Sequence, residues 1–141
     1  MTDDSDANKA LIEAHYRATT NSFDAAAIDR QVAEDFYDHA AGRRMGPEGV
    51  KHHIMALHAA FPDLKVTIED IVAEGPLVAV RATWRGTHCG AFGEIAATDR
   101  PVQFGGMVFW RVDDGKIRER WATIDQAALM QQLAPAPAGR P

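Results

Sequence analysis

Apolar positions recur along this chain with two periods, and the change of period divides it. Val50, Ile54, Leu57 and Phe61 follow one another at four, three and four residues, the stripe of an amphipathic helix. Gly46-Pro47-Glu48 opens that helix, with proline where a missing N–H costs nothing, and Pro62 ends it. Upstream, Ser5 or Asp6 can cap a helix to about Thr20, with Leu11, Tyr16 and Ala18 among its packing positions. Asp24 can cap a short alanine-rich helix through Val32. Glu34–His39, which carries Phe36 and Tyr37, reads as a short strand or a turn.

Beyond Pro62 the period falls to two. Leu64–Ala73 alternates Leu64, Val66 and Ile68 with polar neighbours. Glu74-Gly75-Pro76 turns the chain into Leu77–His88. There Val78, Val80, Ala82 and Trp84 share one face, and Ala79, Arg81, Thr83 and Arg85 the other. Val102–Val112 and Lys116–Ile124 are joined by Asp113-Asp114-Gly115, a strong hairpin signal because the tight turn needs positive φ. A helix, Asp125–Leu133, follows the last strand at once. Gly86–Asp99 is a glycine-rich loop longer than a hairpin needs, and such loops often carry function.

Helices first, then a run of strands, then one helix is an α+β order, not an alternating one. The expected fold is a cone-shaped α+β barrel: N-terminal helices packed on a strongly curved antiparallel sheet, and a short C-terminal helix. Residues 5–133 form one domain in this reading, between disordered tails at 1–4 and at Ala134–Pro141, a Pro/Ala/Gly stretch.

Composition narrows the function. The 141 residues are 46% apolar and 25% charged, with a net charge of −5. That balance suits a soluble domain with a full core and argues against nucleic acid or an anionic membrane as partner, since both require a basic face. No run approaches a membrane span, and the acidic start is no signal peptide. One cysteine, Cys89, allows no intrachain disulfide and fits a cytoplasmic protein. His88 is adjacent to Cys89, but neighbours on a strand face opposite ways, so it is a poor activating base. His52, His53 and His58 lie on the third helix without the i, i+4 spacing of metal ligands. No metal or cofactor is expected.

Asp125 is the candidate for proton transfer, because it is the carboxylate at the junction of the last strand and the last helix. Asp is equally a preferred N-cap, so the two roles compete. His39 follows Asp35-Phe36-Tyr37-Asp38 and could polarise a carbonyl or move a proton near neutral pH; its alternative is a hydrogen-bonded loop histidine. Arg81 lies mid-strand, where a charge must reach water or a partner. On a concave face it would hold a substrate oxygen, and on a convex one it would be a surface or dimer residue. Phe36, Phe61, His88, Phe109, Trp110 and Trp121 are candidate ligand contacts, although most large side chains are core by default. Trp84 and Arg85 are candidates for the outer sheet face.

Several stretches taken in order resemble the SnoaL-like polyketide cyclases, within the cone-shaped superfamily that includes nuclear transport factor and ketosteroid isomerase. They are Gly46-Pro47-Glu48-Gly49-Val50-Lys51, Phe61-Pro62-Asp63-Leu64, Gly86-Thr87-His88-Cys89-Gly90-Ala91-Phe92, Thr98-Asp99-Arg100-Pro101-Val102, Asp114-Gly115-Lys116-Ile117, Trp121, Asp125 and Gln131-Gln132-Leu133. The resemblance implies ring closure of an aromatic polyketide ester by intramolecular aldol condensation, without metal or cofactor, through a pocket carboxylate and a nearby histidine. It sets the aspartate on the last strand, where this chain has Ala122 and, three later, Asp125. It sets the histidine near Val108. It also implies a homodimer through the outer sheet face. The expected function is therefore a cofactor-independent cyclase or isomerase acting on a polyketide-like or other apolar carbonyl compound. Asp125 would move the proton, and His39 and Arg81 would steady the oxygen. A non-catalytic small-molecule binding protein and a cofactor-free hydroxylase are the alternatives on the same fold.

Overall fold

The computed structural model describes residues 4–134. The expected tails therefore lie outside the described residues, apart from Asp4 and Ala134. Helix α1 (Ser5–Tyr16) runs into one widened π turn at Arg17–Asn21. It is followed by α2 (Ala25–Gln31), capped by the Asp24 side chain on Ala27 N. Then come β1 (Val32–Asp38), the two-residue β2 (Arg43–Arg44) and α3 (Gly46–Ala60). Strands β3 (Lys65–Glu74), β4 (Leu77–Thr87), β5 (Pro101–Asp113) and β6 (Lys116–Ile124) lead to α4 (Gln126–Leu133).

The strands make one six-stranded sheet in the order β2-β1-β6-β5-β4-β3. It is curled but not closed, and it is mixed rather than wholly antiparallel, because β1 pairs parallel to β6. That pairing joins Asp38 to Arg120, residues no local pattern connects. The two hairpins behave as their turns require. Asp114 and Gly115 both take positive φ, at 53° and 71°, and Gly75 takes 57° ahead of Pro76.

Alternation then sorts the sheet into two faces. Val78, Val80, Ala82 and Trp84 of β4, Val108, Trp110 and Val112 of β5, and Ile117 of β6 are buried under α1, α2 and α3. Trp84 is thus an inner-face residue, which corrects its placement on the outer face. Its ring stacks at 5.8 Å on Phe104, and only its neighbour Arg85 points outward. The π turn is tied down at both ends. Thr19 Oγ1 donates to His15 O at 2.7 Å, and the Asn21 amide pairs with both backbone groups of Val66.

The loop after β4 is zipped at its ends by His88 and Arg100, and it hangs from Ala60 O through the amides of Cys89 and Gly90. A Cβ on Gly90 would lie 2.1 Å from Ala59 O, so only glycine permits this approach.

Candidate functional site

The residues singled out from the sequence fall in three places. Asp125, His39, Arg81, Phe109 and Trp121 meet in one open trough of about 1160 Å³ on the outer sheet face. There Arg81 Nε donates to Asp70 at 2.7 Å, with both side chains exposed. His39 stacks flat on Trp121, with centroids 4.7 Å apart and an 8° interplanar angle, and its Nε2 lies 2.8 Å from Glu119. That histidine and Arg111 hold the Glu119 carboxyl below the usual range. Asp125 is exposed and accepts from Ala128 N at 3.0 Å, the N-cap of α4. None of the described residues roofs this trough, and Met107, Phe109 and Trp121 stand 64%, 51% and 37% exposed along it. Arg81 therefore takes the convex alternative.

Phe61 and His88 form a second group, packed ring to ring at 5.4 Å and buried. His88 Nδ1 accepts from Thr98 N and also meets Thr98 Oγ1. This pair closes the long loop onto the end of α3.

Phe36 and Trp110 belong to the third place, an internal cavity between the helices and the inner sheet face. Its titratable groups come from elements far apart in sequence: His15 and Tyr16 of α1, Asp38 of β1, His53 of α3 and Arg120 of β6. His15 Nδ1 is 2.9 Å from the Gln31 amide oxygen, and its ring meets Trp110 edge-on at 5.4 Å. Burial pushes its pKa down to about 4, the nearby Arg120 charge adds to that, and the Gln31 hydrogen bond opposes it. His15 is thus neutral at pH 7. Tyr16 Oη accepts from Trp110 Nε1 at 3.3 Å. An indole N–H can only donate, so the tyrosine keeps its own proton free. Burial raises that hydroxyl to about 12, which keeps it a donor throughout the neutral range.

Asp38 is spoken for. Its carboxylate takes Arg120 Nη1 at 3.0 and 3.3 Å and caps the following turn through Ala40 N and Ala41 N. The Arg120 guanidinium also lies 5.5 Å over the Trp110 ring. His53 stands at the rim. It makes no hydrogen bond to another described residue, and its pKa is lowered by desolvation and then by Arg120 and Arg43, with Asp38 opposing. A neutral imidazole, a fixed phenol donor and an ion pair around an aromatic wall can move a proton on carbon and steady the oxygen that gains charge.

The sequence signals for this cavity were present but weak. Ile12, His15 and Tyr16 of α1 and Thr19 of the π turn that continues it share one buried face, so a polar pair sits within a packing stripe. Asp38 and Arg120 become neighbours only through the parallel β1–β6 pairing. The positions set by the family pattern, Val108 and Ala122, sit opposite one another in the β5–β6 register and carry no ionisable group. Among the described residues no group of three or more His, Cys, Asp or Glu is placed to hold a metal ion, and no helix is long and apolar enough to cross a membrane.

This fold has close counterparts. IdmH of Streptomyces antibioticus, a proposed polyketide cyclase, is 32% identical with a TM-score of 0.79, over 89% of this chain and 97% of its own. AclR of Streptomyces galilaeus, a proposed hydroxylase, is 27% identical with a TM-score of 0.79, over 95% and 87%. A SnoaL-like protein of Jannaschia sp. CCS1 superposes at a TM-score of 0.85 over 97% and 98%, at 19% identity. No curated protein matches the sequence. The family profile of the SnoaL-like polyketide cyclases matches residues 10–133, and the chain belongs to that family.

Proposed function

We propose that this protein is a cofactor-independent cyclase or isomerase of an apolar carbonyl compound, and that it works in the internal cavity rather than at Asp125. The observation that carries this reading is the Tyr16 hydroxyl. It is buried, held in place by Trp110 and left with a free proton inside an aromatic-walled pocket. In the proposed step His53 takes a proton from the carbon beside a carbonyl, and the carbonyl oxygen accepts from Tyr16. The Asp38–Arg120 pair holds the rim between them. The enolate carbon then either attacks a second carbonyl of the same molecule, whose new alkoxide takes the proton back from His53 as the ring closes, or regains that proton itself at another position. Both outcomes conserve the substrate's mass. His15, neutral beside Trp110, adds no charge that would compete for the enolate.

The cavity encloses about 90 Å³, less than the roughly 150 Å³ that admits benzene in a dry protein cavity. A ring-sized ligand therefore displaces rim side chains. Met45, Leu57 and His53 are the rim residues free to move, since each is half-buried or exposed.

Incubation with an aromatic polyketide ester, a ketosteroid and a terpene epoxide, in air and without added cofactors, tests the class of reaction. Mass-resolved chromatography is expected to find a product of unchanged mass and new retention time. One added oxygen would instead assign the hydroxylase activity proposed for AclR, and thermal stabilisation without product would assign a binding protein.

The outer trough fits a second copy of the chain. Met107, Phe109 and Trp121 form an exposed apolar strip on an open sheet face, the kind of surface that dimers cover. Phe109→Lys is expected to convert a dimer to a monomer in sedimentation experiments while the thermal unfolding midpoint of the separated chain stays near that of the wild type. An unchanged sedimentation coefficient would place the interface elsewhere. The exposed, unpaired Cys89 suits a reducing compartment such as the cytoplasm.

A further inference from the structure

The charge around the cavity mouth is unbalanced. Asp38 is the only acid lining the cavity among the described residues, and Arg120 already takes it. Arg43 is the direct cross-strand partner of Asp38 in the β1–β2 pair, so its side chain leaves the same face of the sheet. Arg43 has no ion pair among the described residues and is exposed. Its charge is close enough to be felt at His53 on the opposite wall. Two guanidiniums, Arg120 in the cavity and Arg43 beside its mouth, thus share one carboxylate, on a chain whose net charge is −5. Arg44 does not add to this, because it pairs across from Tyr37 on the outer face.

We propose that Arg43 is a specificity residue for an anionic group, and that the ligand of the internal cavity is an apolar carbonyl compound carrying a carboxylate at its outer end. The inference rests on the internal cavity being the ligand site, and it adds the chemical class of the ligand. The aromatic part enters the cavity lined by Phe36, Trp84 and Trp110 in this arrangement, and the carboxylate stays at the mouth, where it keeps part of its hydration. Arg43 supplies a planar donor pair that no acid among the described residues occupies.

The probe pair is 4-oxo-4-phenylbutanoate and its methyl ester, which share a ring and a ketone and differ by one charge. Binding is read from the fluorescence of the cavity tryptophans, with no turnover required. The wild type is expected to bind the acid about ten to a hundred times more tightly than the ester, the usual worth of a hydrogen bond to a charged group. In Arg43→Gln that preference disappears while ester binding stays the same, and Arg44→Gln retains the preference. Equal binding of acid and ester by the wild type would overturn the proposal, as would no binding of the acid, or a preference that survives Arg43→Gln. An acid preference without proton exchange beside the ketone would keep the anion site and discard the enolisation. Exchange with equal binding would do the reverse.

Discussion

Tyr16→Phe is expected to lower turnover by about 10²–10³-fold, the loss that follows removal of one fixed donor to a developing oxyanion. The substitution keeps the ring, and with it the edge-on contact to Trp110 at 5.7 Å, so substrate binding and KM change little. It also removes the acceptor of the buried Trp110 N–H. A buried donor left without a partner costs about 1–3 kcal/mol, so some stability is lost as well. The two effects separate by measurement. Urea unfolding gives the stability, and kcat on folded protein gives the chemistry. If Tyr16 only supported the fold, kcat measured well below the unfolding transition would stay within a few-fold of the wild type.

Acidification is expected to destabilise the protein through His15. In the folded state this group titrates near 4 and in the unfolded chain near 6.5. Between those values the unfolded state binds more protons, so stability rises with pH across the window and is lost as the pH falls from about 6.5 to about 4. The difference amounts to about 3 kcal/mol, taking roughly 1.4 kcal/mol for each pKa unit. Carboxylates titrate in the same range, but they do so equally in His15→Gln. That variant is expected to lose about 3 kcal/mol less between pH 7 and pH 4 than the wild type, in urea unfolding followed at both values. Parallel losses in the two proteins would show that His15 becomes charged inside the fold without cost.

Elements that depend on near neighbours were legible in the sequence. The α3 stripe, the Asp114-Gly115 turn and the alternation along β4 each follow from residues a few positions apart, and each stands as read. Segregation of helices from strands was enough for the α+β class. What sequence periodicity cannot supply is which face of a strand the helices will cover. Alternation separated Trp84 from Arg81 correctly, yet gave no means of choosing the inner member. Arg81 turned outward to Asp70, and Trp84 turned inward to the core.

The site was harder to read for a related reason. His39, Arg81, Phe109, Trp121 and Asp125 do converge, but on the uncovered face, because residues of one parity on adjacent strands share a side whether or not that side is buried. Asp125 ends as the cap that its position before Gln126-Ala127-Ala128 allowed. Phe61 and His88, expected at the ligand, instead anchor the long loop. Tyr16 was legible only as a packing residue, since nothing in α1 announces the tryptophan 94 positions away that fixes its hydroxyl. Asp38 and Arg120, 82 apart, depend on a parallel strand pairing that no turn encodes.

Proton transfer is proposed to occur inside the cone, at His53 and Tyr16, and not on the outer face at Asp125. Deuterium uptake beside the ketone of 4-oxo-4-phenylbutanoate in heavy water, followed by NMR, tests it directly in three proteins. The wild type is expected to catalyse exchange, and His53→Gln to slow it by about 10²–10⁴-fold, as loss of a general base does. Asp125→Asn should exchange at the wild-type rate, because the amide oxygen can still accept from Ala128 N. Exchange that survives in His53→Gln and fails in Asp125→Asn would contradict the account and return the chemistry to the outer trough.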